Sequence, residues 1–316
     1  MFKWKKLGKL FDPTELGSGS WMQVQSQNPY VLKFDNFIRV YFNTRPQKSS
    51  DGKNTSYAGF VDLDRNDLSK IIKISSKPIL SLGSKGAFDE FGVMSGSVAQ
   101  FGDKYHLYYV GWSRMLSVPY NWAIGLATSD DAETFERAGK GPVIGADLKE
   151  PYLQAGCSTL LKIEDNWHMW YTSGVKWIDN GEKPESVYQI THAISKDGIN
   201  WTRDGHFSIE PVLENEAQAS PTIIKIDDKW HMFFSYRHTT DFRNKERGYR
   251  IGYASSYDLK KWERNDDIAG LSVSNSGWDS EMICYPHIFE LDGKIYLLYC
   301  GNDFGKEGFG YAELEI

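Results

Sequence analysis

Residues 159–174 read TLLKIEDNWHMWYTSG, and the chain repeats this pattern four more times. The copies are TIIKIDDKWHMFFSY from Thr222, HIFELDGKIYLLYCG from His287, SVAQFGDKYHLYYVG from Ser97 and YVLKFDNFIRVYFNT from Tyr30. Each is an apolar run, a tight turn of Asp, Gly or Asn, and a second run alternating apolar and aromatic residues, which is the signature of a β-hairpin. The copies begin 67, 62, 63 and 65 residues apart, a period that points to a radial array of blades. A third strand follows each hairpin: YAGFVDL from Tyr57, WAIGLATS from Trp122, YQITHAIS from Tyr188, YRIGYASS from Tyr249 and GFGYAEL from Gly308. The first four copies continue through a polar turn into a fourth strand, whereas the fifth stops at Ile316. Its missing strand is supplied by FKWKKLGKLFDP at the N-terminus, where Trp4 stands in the place of Trp201 and Trp262. The expected fold is therefore all-β, a single five-bladed β-propeller over residues 1–316, with four-stranded blades and the N-terminal strand closing the last one.

Composition agrees with a large core. Of 316 residues, 41% are hydrophobic and 15% aromatic, and the net charge of −6 gives no general attraction to nucleic acid or anionic membranes. The N-terminus has positive charge but no apolar run of a secretory signal behind it, and no segment approaches the roughly 20 apolar residues of a membrane span. Cys157, Cys284 and Cys300 sit in apolar runs and read as reduced core thiols, so a cytoplasmic protein is expected. The expected partner is a saccharide or glycoconjugate, with anionic groups among the options.

Strand alternation puts the starts of innermost strands and the ends of second strands on one face, together with the long connections. Binding chemistry usually sits on such loops. Counting blade by blade, that face collects Asn28, Asp89, Glu150, Glu216, Asp279 and Glu281 near the starts of innermost strands. After second strands it collects Arg45, Arg114, Lys176, Tyr236, Arg237, His238, Arg243 and Asp303, with His287 nearby. Trp112, Trp177, Tyr236 and Phe304 would supply aromatic walls. Glu216 and Glu281 each precede a proline, Pro221 and Pro286, by five residues, which aligns them in adjacent blades where other blades hold apolar residues. Two readings stand: acid and base flanking a glycosidic bond, or turn caps paired with Arg237 or Arg243.

GVMSGSVAQFGDKYHLYYVGW, PTIIKIDDKWHMFFSYR, GWDSEM, the YRH and DFR stretches and the terminal GFG carry a family resemblance. The chain resembles the five-bladed propellers of glycoside hydrolase families 32, 43, 62, 68 and 130, and above all the glycosidase-like propellers encoded with bacterial polysaccharide biosynthesis genes. The resemblance implies an Asp on blade 1 as base or nucleophile, an Asp on blade 3 as stabiliser and a Glu on blade 4 as general acid. This sequence departs from that pattern: Asn28 precedes Pro29 on blade 1, and GCS around Cys157 occupies the blade 3 position. Only the acid carries over, onto Glu216, leaving Glu281, Asp89 or Asp279 to activate water, since an Asn amide does not ionise. Resemblance to family 130 also implies phosphorolysis, with phosphate held by Arg45, Arg114, Lys176, Arg237, His238 and Arg243. The expected activity is a glycoside hydrolase with Glu216 as proton donor and Glu281 or Asp89 as base; a phosphorylase and a non-catalytic sugar-binding propeller are the alternatives.

Other motifs read as structural. SKDGINW at Ser195–Trp201 resembles a sialidase Asp-box but lies at a turn on the far face. His106, His168 and His231 recur at one position of the second strand, which argues for packing and against a metal cluster. No cofactor is expected, with a channel cation such as calcium left open.

Overall fold

The computed structural model describes residues 1–17, 19–46, 48 and 52–315, and of residues 157 and 158 the backbone only. The reading of Cys157 as a core thiol therefore lies outside the described residues. Five antiparallel sheets follow one another along the chain. Blade 1 is Val24–Lys33, Phe37–Arg45, Tyr57–Asp64 and Ile71–Ile74. Blade 3 is Gln154–Ile163, Asn166–Asp179, Pro184–Ser195 and Thr202–Phe207, and blade 4 is Ala217–Ile226, Lys229–Arg237, Arg250–Ser256 and Glu263–Arg264. In blade 2 the innermost strand is split into Gly92–Met94 and Val98–Phe101, ahead of Lys104–Arg114, Tyr120–Ser129 and Glu136–Arg137. Blade 5 runs Cys284–Leu291, Lys294–Cys300 and Phe309–Leu314, and Trp4–Phe11 pairs antiparallel with the last of these from Trp4↔Leu314 to Phe11↔Phe309. The ring closes as the repeat predicts. Trp4 Nε1 donates to the Ala269 carbonyl at 2.9 Å, and Phe2 packs edge-on against Phe233 and His231 of blade 4.

Alternation along each strand buries one row of side chains between adjacent blades, and the apolar clusters follow that plan. Tyr41, Phe60, Val98, Leu107 and Tyr109 fill the space between blades 1 and 2, while Phe233, Tyr253, Ile288, Leu297 and Tyr299 fill that between blades 4 and 5. The recurrent histidines belong to this packing: His168 Nδ1 lies 3.0 Å from His192 Nε2, His231 Nδ1 lies 2.7 Å from the Tyr253 hydroxyl, and His106 stacks on Phe101. Burial holds all of them below the ordinary imidazole range, His192 at about 4.

The far-face turns share one device. In SKDGINW, Ser195 Oγ donates to Asp197 and accepts from Gly198 N, and Asp197 Oδ1 accepts from Ile199 N and Asn200 N. Ser129 with Asp131 and Ser256 with Asp258 repeat it in blades 2 and 4, so the motif is a turn.

A second repeated device joins outer to inner strands. Asp89 accepts from Tyr109 Oη at 2.9 Å and pairs with Arg137 at 2.6 Å. Glu150 accepts from Tyr171 Oη at 2.7 Å and faces Arg203 at 3.3 Å, Glu216 pairs with Arg264 at 2.6 Å, and Asp279 accepts from Tyr299 Oη at 3.0 Å and pairs with Lys6 at 2.6 Å. All four acids are at most 3% exposed. A cation on the outermost strand thus clamps the connection into the next innermost strand in four blades. In blade 5 that cation comes from the N-terminal strand, which ties the ring shut electrostatically as well as by its ladder.

Candidate active site

The first residues of the innermost strands form the floor of the central cavity through a shared irregularity. Gln27↔Asn43, Met94↔Val110, Ala155↔Thr172, Ala219↔Ser235 and Cys284↔Cys300 are each followed by a break in pairing. The residue at the break has positive φ in four blades: Asn28 (51°), Gly156 (59°), Ser220 (50°) and Tyr285 (55°). Asn and Gly tolerate this conformation, whereas for Tyr it is a genuine outlier, the kind of strain that collects at binding sites. These four and Ser95, at the split of blade 2, all line the cavity. Ser220 Oγ donates to Asn28 Oδ1 at 2.7 Å, joining blades 4 and 1 across the floor. None of the five is a carboxylate.

The cavity measures about 700 Å³, within the range that encloses a small ligand. Its walls come from the long loops and the near ends of second and third strands. Trp112, Tyr120 and Trp122 form one aromatic side, with Tyr120 stacked on Trp122 at 4.4 Å; Tyr188, Phe242, Tyr249 and Phe304 form another. The charged lining, among the described residues, is Arg45, Lys48, Lys183, Arg237 and Arg243 against Glu185 and Asp303, an excess of three positive charges in a protein of net charge −6.

Arg237 is the most unusual of these. It is 3% exposed and has no carboxylate partner among the described residues. Its guanidinium lies over Phe242 at 3.6 Å and donates to the Tyr188 hydroxyl at 2.9 Å and to the His238 carbonyl at 2.7 Å, while Nε is buried without an acceptor. Tyr188 is in turn hydrogen-bonded to the Tyr249 hydroxyl. An arginine stays charged under all accessible conditions, so the fold holds a bare cation under the cavity. Other buried polar atoms on the lining lack partners too: Gln25 Oε1, Asn43 Nδ2, Trp112 Nε1 and Thr172 Oγ1. Arg45 donates to Ser56 Oγ at 3.3 Å and lies over Trp112 at 5.8 Å, its pKa held below the usual guanidinium value by burial. Arg243 differs, pairing with Glu185 at 3.0 Å.

Asp303 comes from the loop after Cys300. Asp303 (φ 50°, ψ 43°) and Phe304 (φ 61°, ψ 35°) are consecutive left-handed residues, each costing roughly 1–2 kcal/mol relative to the right-handed form. The GWDSEM segment holds the turn in place. Asn302 N donates to the Trp278 carbonyl at 2.7 Å, its Oδ1 accepts from Glu281 N at 2.7 Å and Met282 N at 3.2 Å, and its Nδ2 donates to the Gly277 carbonyl at 3.0 Å.

Against the sequence expectations, Asn28, Arg45, Arg237, Arg243 and Asp303 meet on the cavity, as do Trp112 and Phe304. The acids expected near the starts of innermost strands do not. Glu216 caps Val212 N and Leu213 N inside blade 4 and pairs with Arg264, not with Arg237 or Arg243. Asp89, Glu150 and Asp279 hold the matching clamp positions in their blades. Glu281 is exposed and only its backbone is engaged, so it neither faces the cavity nor neighbours Glu216. Counting five residues back from proline misaligned the two, because the blade 5 connection has two more residues than that of blade 4 between clamp acid and proline: the counterpart of Glu216 is Asp279. Arg114 is not on the cavity lining; it lies over Phe91 and donates to the Asn54 carbonyl at 3.1 Å. Tyr236 lies under the Arg264 guanidinium, and His238 contributes its carbonyl to Arg237 while its ring lies off the lining. His287 packs against Tyr30 in the core, with ring centroids 4.4 Å apart and the rings tilted by 47°, and burial pushes its pKa down to about 3. Trp177 packs behind Tyr120. Sequence reasoning passed over Trp122, Tyr188 and Tyr249, although all three are the aromatic that opens a third strand, and over Glu185, which has no repeat counterpart to mark it.

The family model described as glycosyl hydrolases family 32 N-terminal domain matches residues 95–311. An uncharacterized protein of Mycobacterium tuberculosis is 33% identical over 315 residues, covering 99% of each chain. The 1,2-β-oligomannan phosphorylase of a Thermoanaerobacter species is 26% identical over 252 residues, covering 78% of this chain and 77% of that one. A solved structure from glycoside hydrolase family 130, described with hydrolases that target β-1,2-mannosidic linkages in Candida mannan, superposes with a TM-score of 0.68 at 16% identity over 99% of this chain and 93% of that one. With the five-bladed ring and its central cavity, these matches place the chain in the glycosyl hydrolase family 32 N-terminal domain family, among the glycoside hydrolase and phosphorylase propellers.

Proposed function

We propose that this protein cleaves a glycosidic bond by phosphorolysis, binding the saccharide between the aromatic walls and inorganic phosphate at Arg237. The observation that carries this reading is the buried Arg237 guanidinium with no carboxylate partner, in a cavity whose lining has more cations than acids. A hydrolase needs two carboxylates, one to protonate the leaving oxygen and one to activate water or attack the sugar. Here the five floor positions carry none, and the four buried acids nearest in sequence are spent on inter-strand clamps. Phosphate brings its own nucleophilic oxygen, so a phosphorylase requires of the protein one proton donor and a set of cations. Charge-assisted, two-pronged contacts from Arg237, with Arg45 and Lys48 across the cavity, suit such an oxyanion. Similarity to an oligomannan phosphorylase makes a β-1,2-linked mannose disaccharide the first substrate to try. Free, buried Cys284 and Cys300 support a reducing, cytoplasmic setting, where phosphate is plentiful.

The test is phosphorus NMR of the purified protein with that disaccharide and inorganic phosphate. Appearance of a hexose 1-phosphate signal, absent when phosphate is omitted, is expected. Release of free mannose at the same rate in phosphate-free buffer would establish hydrolysis instead, and tight saccharide binding without turnover would establish a binding module.

A further inference from the structure

We infer that Asp303 is the group that protonates the departing sugar oxygen, an assignment that rests on the glycosyl-transfer reading of the cavity. Two carboxylates line the cavity among the described residues, Glu185 and Asp303. Glu185 is 4% exposed and engaged by Arg243 at 3.0 Å and Lys183 at 3.6 Å. Held between two cations, it orients Arg243. Asp303 is exposed on the cavity lining and makes no ion pair or hydrogen bond among the described residues, while the Arg45 guanidinium lies near enough to interact with its charge.

Its backbone gives independent support. Asp303 and Phe304 are held left-handed in succession by the Asn302 anchors, and Phe304 is braced against Tyr249 and Phe242. A right-handed turn there would be relieved of strain, and strained backbone maintained by surrounding contacts marks positions where a side chain must be aimed. A saccharide filling the cavity would cover the Asp303 carboxyl and bring its departing oxygen to the lining carboxylate that makes no ion pair among the described residues. In the step, a phosphate oxygen forms a bond to the anomeric carbon as the glycosidic C–O bond breaks. The Asp303 proton passes to the departing oxygen, and Asp303 recovers a proton from the attacking hydrogen phosphate. No redox partner or metal enters the balance.

The experiment compares wild type, Asp303→Asn and Glu185→Gln, with saturating phosphate, on two probes: a β-1,2-linked mannose disaccharide, whose alcohol must be protonated to leave, and 4-nitrophenyl β-mannoside, whose phenolate need not be. Asp303→Asn should lower kcat/KM on the disaccharide about 10²- to 10⁴-fold, keep the nitrophenyl glycoside within roughly tenfold and lose the alkaline limb of the pH profile. Equal losses on both probes, unchanged rates on both, or the leaving-group split in Glu185→Gln instead would overturn the assignment. A wild type inactive on both probes would overturn the reaction reading itself, and the assignment with it. An altered role of Asp303 alone leaves wild-type phosphorolysis intact, so the two failures are distinguishable.

Discussion

Replacing Glu216 by Gln separates the clamp from a catalytic role. The carboxylate is 1% exposed; one oxygen takes Arg264 at 2.6 Å and Gln218 Nε2 at 2.8 Å, the other takes Val212 N at 3.0 Å and Leu213 N at 3.1 Å. An amide retains one acceptor oxygen, so its NH₂ must face one of these donor pairs, and Asp266 at 2.9 Å is then the carboxylate left to Arg264 among the described residues, beside the Glu210 carbonyl at 2.9 Å. Breaking a buried pair on one side costs about 3–5 kcal/mol. At about 2 °C per kcal/mol for a large domain, the melting temperature should fall ~6–10 °C. Scanning calorimetry reads that shift, and turnover of the β-1,2-linked disaccharide with phosphate at 25 °C should stay within about twofold of wild type. An unchanged melting temperature with a turnover loss of about 100-fold or more, the size of a missing acid, would refute the clamp and restore Glu216 to the chemistry.

Other perturbations have equally definite outcomes. His287 is pushed down to about 3 and His192 to about 4, from an ordinary 6.5, so both are neutral when folded. Their folded values lie below the unfolded one, so the stability they contribute is complete above about pH 6.5 and is lost as pH falls toward 4. His287→Phe, which keeps a ring against Tyr30, should flatten that acid limb in urea melts between pH 7 and 4; an unaltered limb would show that the buried imidazole contributes nothing to it. Asn302→Ala removes the side-chain anchors of the Asp303 turn. Turnover should fall tenfold or more, amide exchange at residues 301–306 should accelerate, and the melting temperature should fall by about 3–9 °C, since three hydrogen bonds contribute about 0.5–1.5 kcal/mol each and 1 kcal/mol is worth about 2 °C. Unchanged turnover would mean that the turn needs no anchor.

The fold was legible because its signal is repeated. Five hairpins with Asp, Gly or Asn turns, and a tryptophan near the N-terminus matching Trp201 and Trp262, determine blade number and closure without any tertiary information. The site was half legible. Asn28, Arg45, Arg237 and Arg243 are reached by counting from the repeat, because Asn28 precedes the proline of the first inner strand, Arg45 and Arg237 end second strands, and Arg243 lies in the loop that follows. The acids were lost on the other side of the irregular floor. Breaks at Asn28, Gly156, Ser220 and Tyr285 reset the alternation, and the connections before them differ in length, so neither spacing nor parity tells which carboxylate turns inward. A physical cue was nonetheless present in the repeat: Arg137, Arg203, Arg264 and Lys6 recur on outermost strands, and a cation recurring on the same strand of four blades calls for an acid nearby. Asp303 is reached by the same count past the second strand of blade 5, whereas the left-handed turn that carries it is not legible in the sequence.

Equilibrium binding of inorganic phosphate, measured by titration calorimetry for wild type and Arg237→Met, tests the central claim most directly. Met can pack on Phe242 without burying a charge, so the variant should melt cooperatively at a temperature close to that of wild type. The account predicts one phosphate site in wild type, weakened about 10- to 150-fold in the variant, the loss expected for a charge-assisted hydrogen-bonded contact. Absence of phosphate binding in wild type, or equal affinity in a folded Arg237→Met, would contradict it.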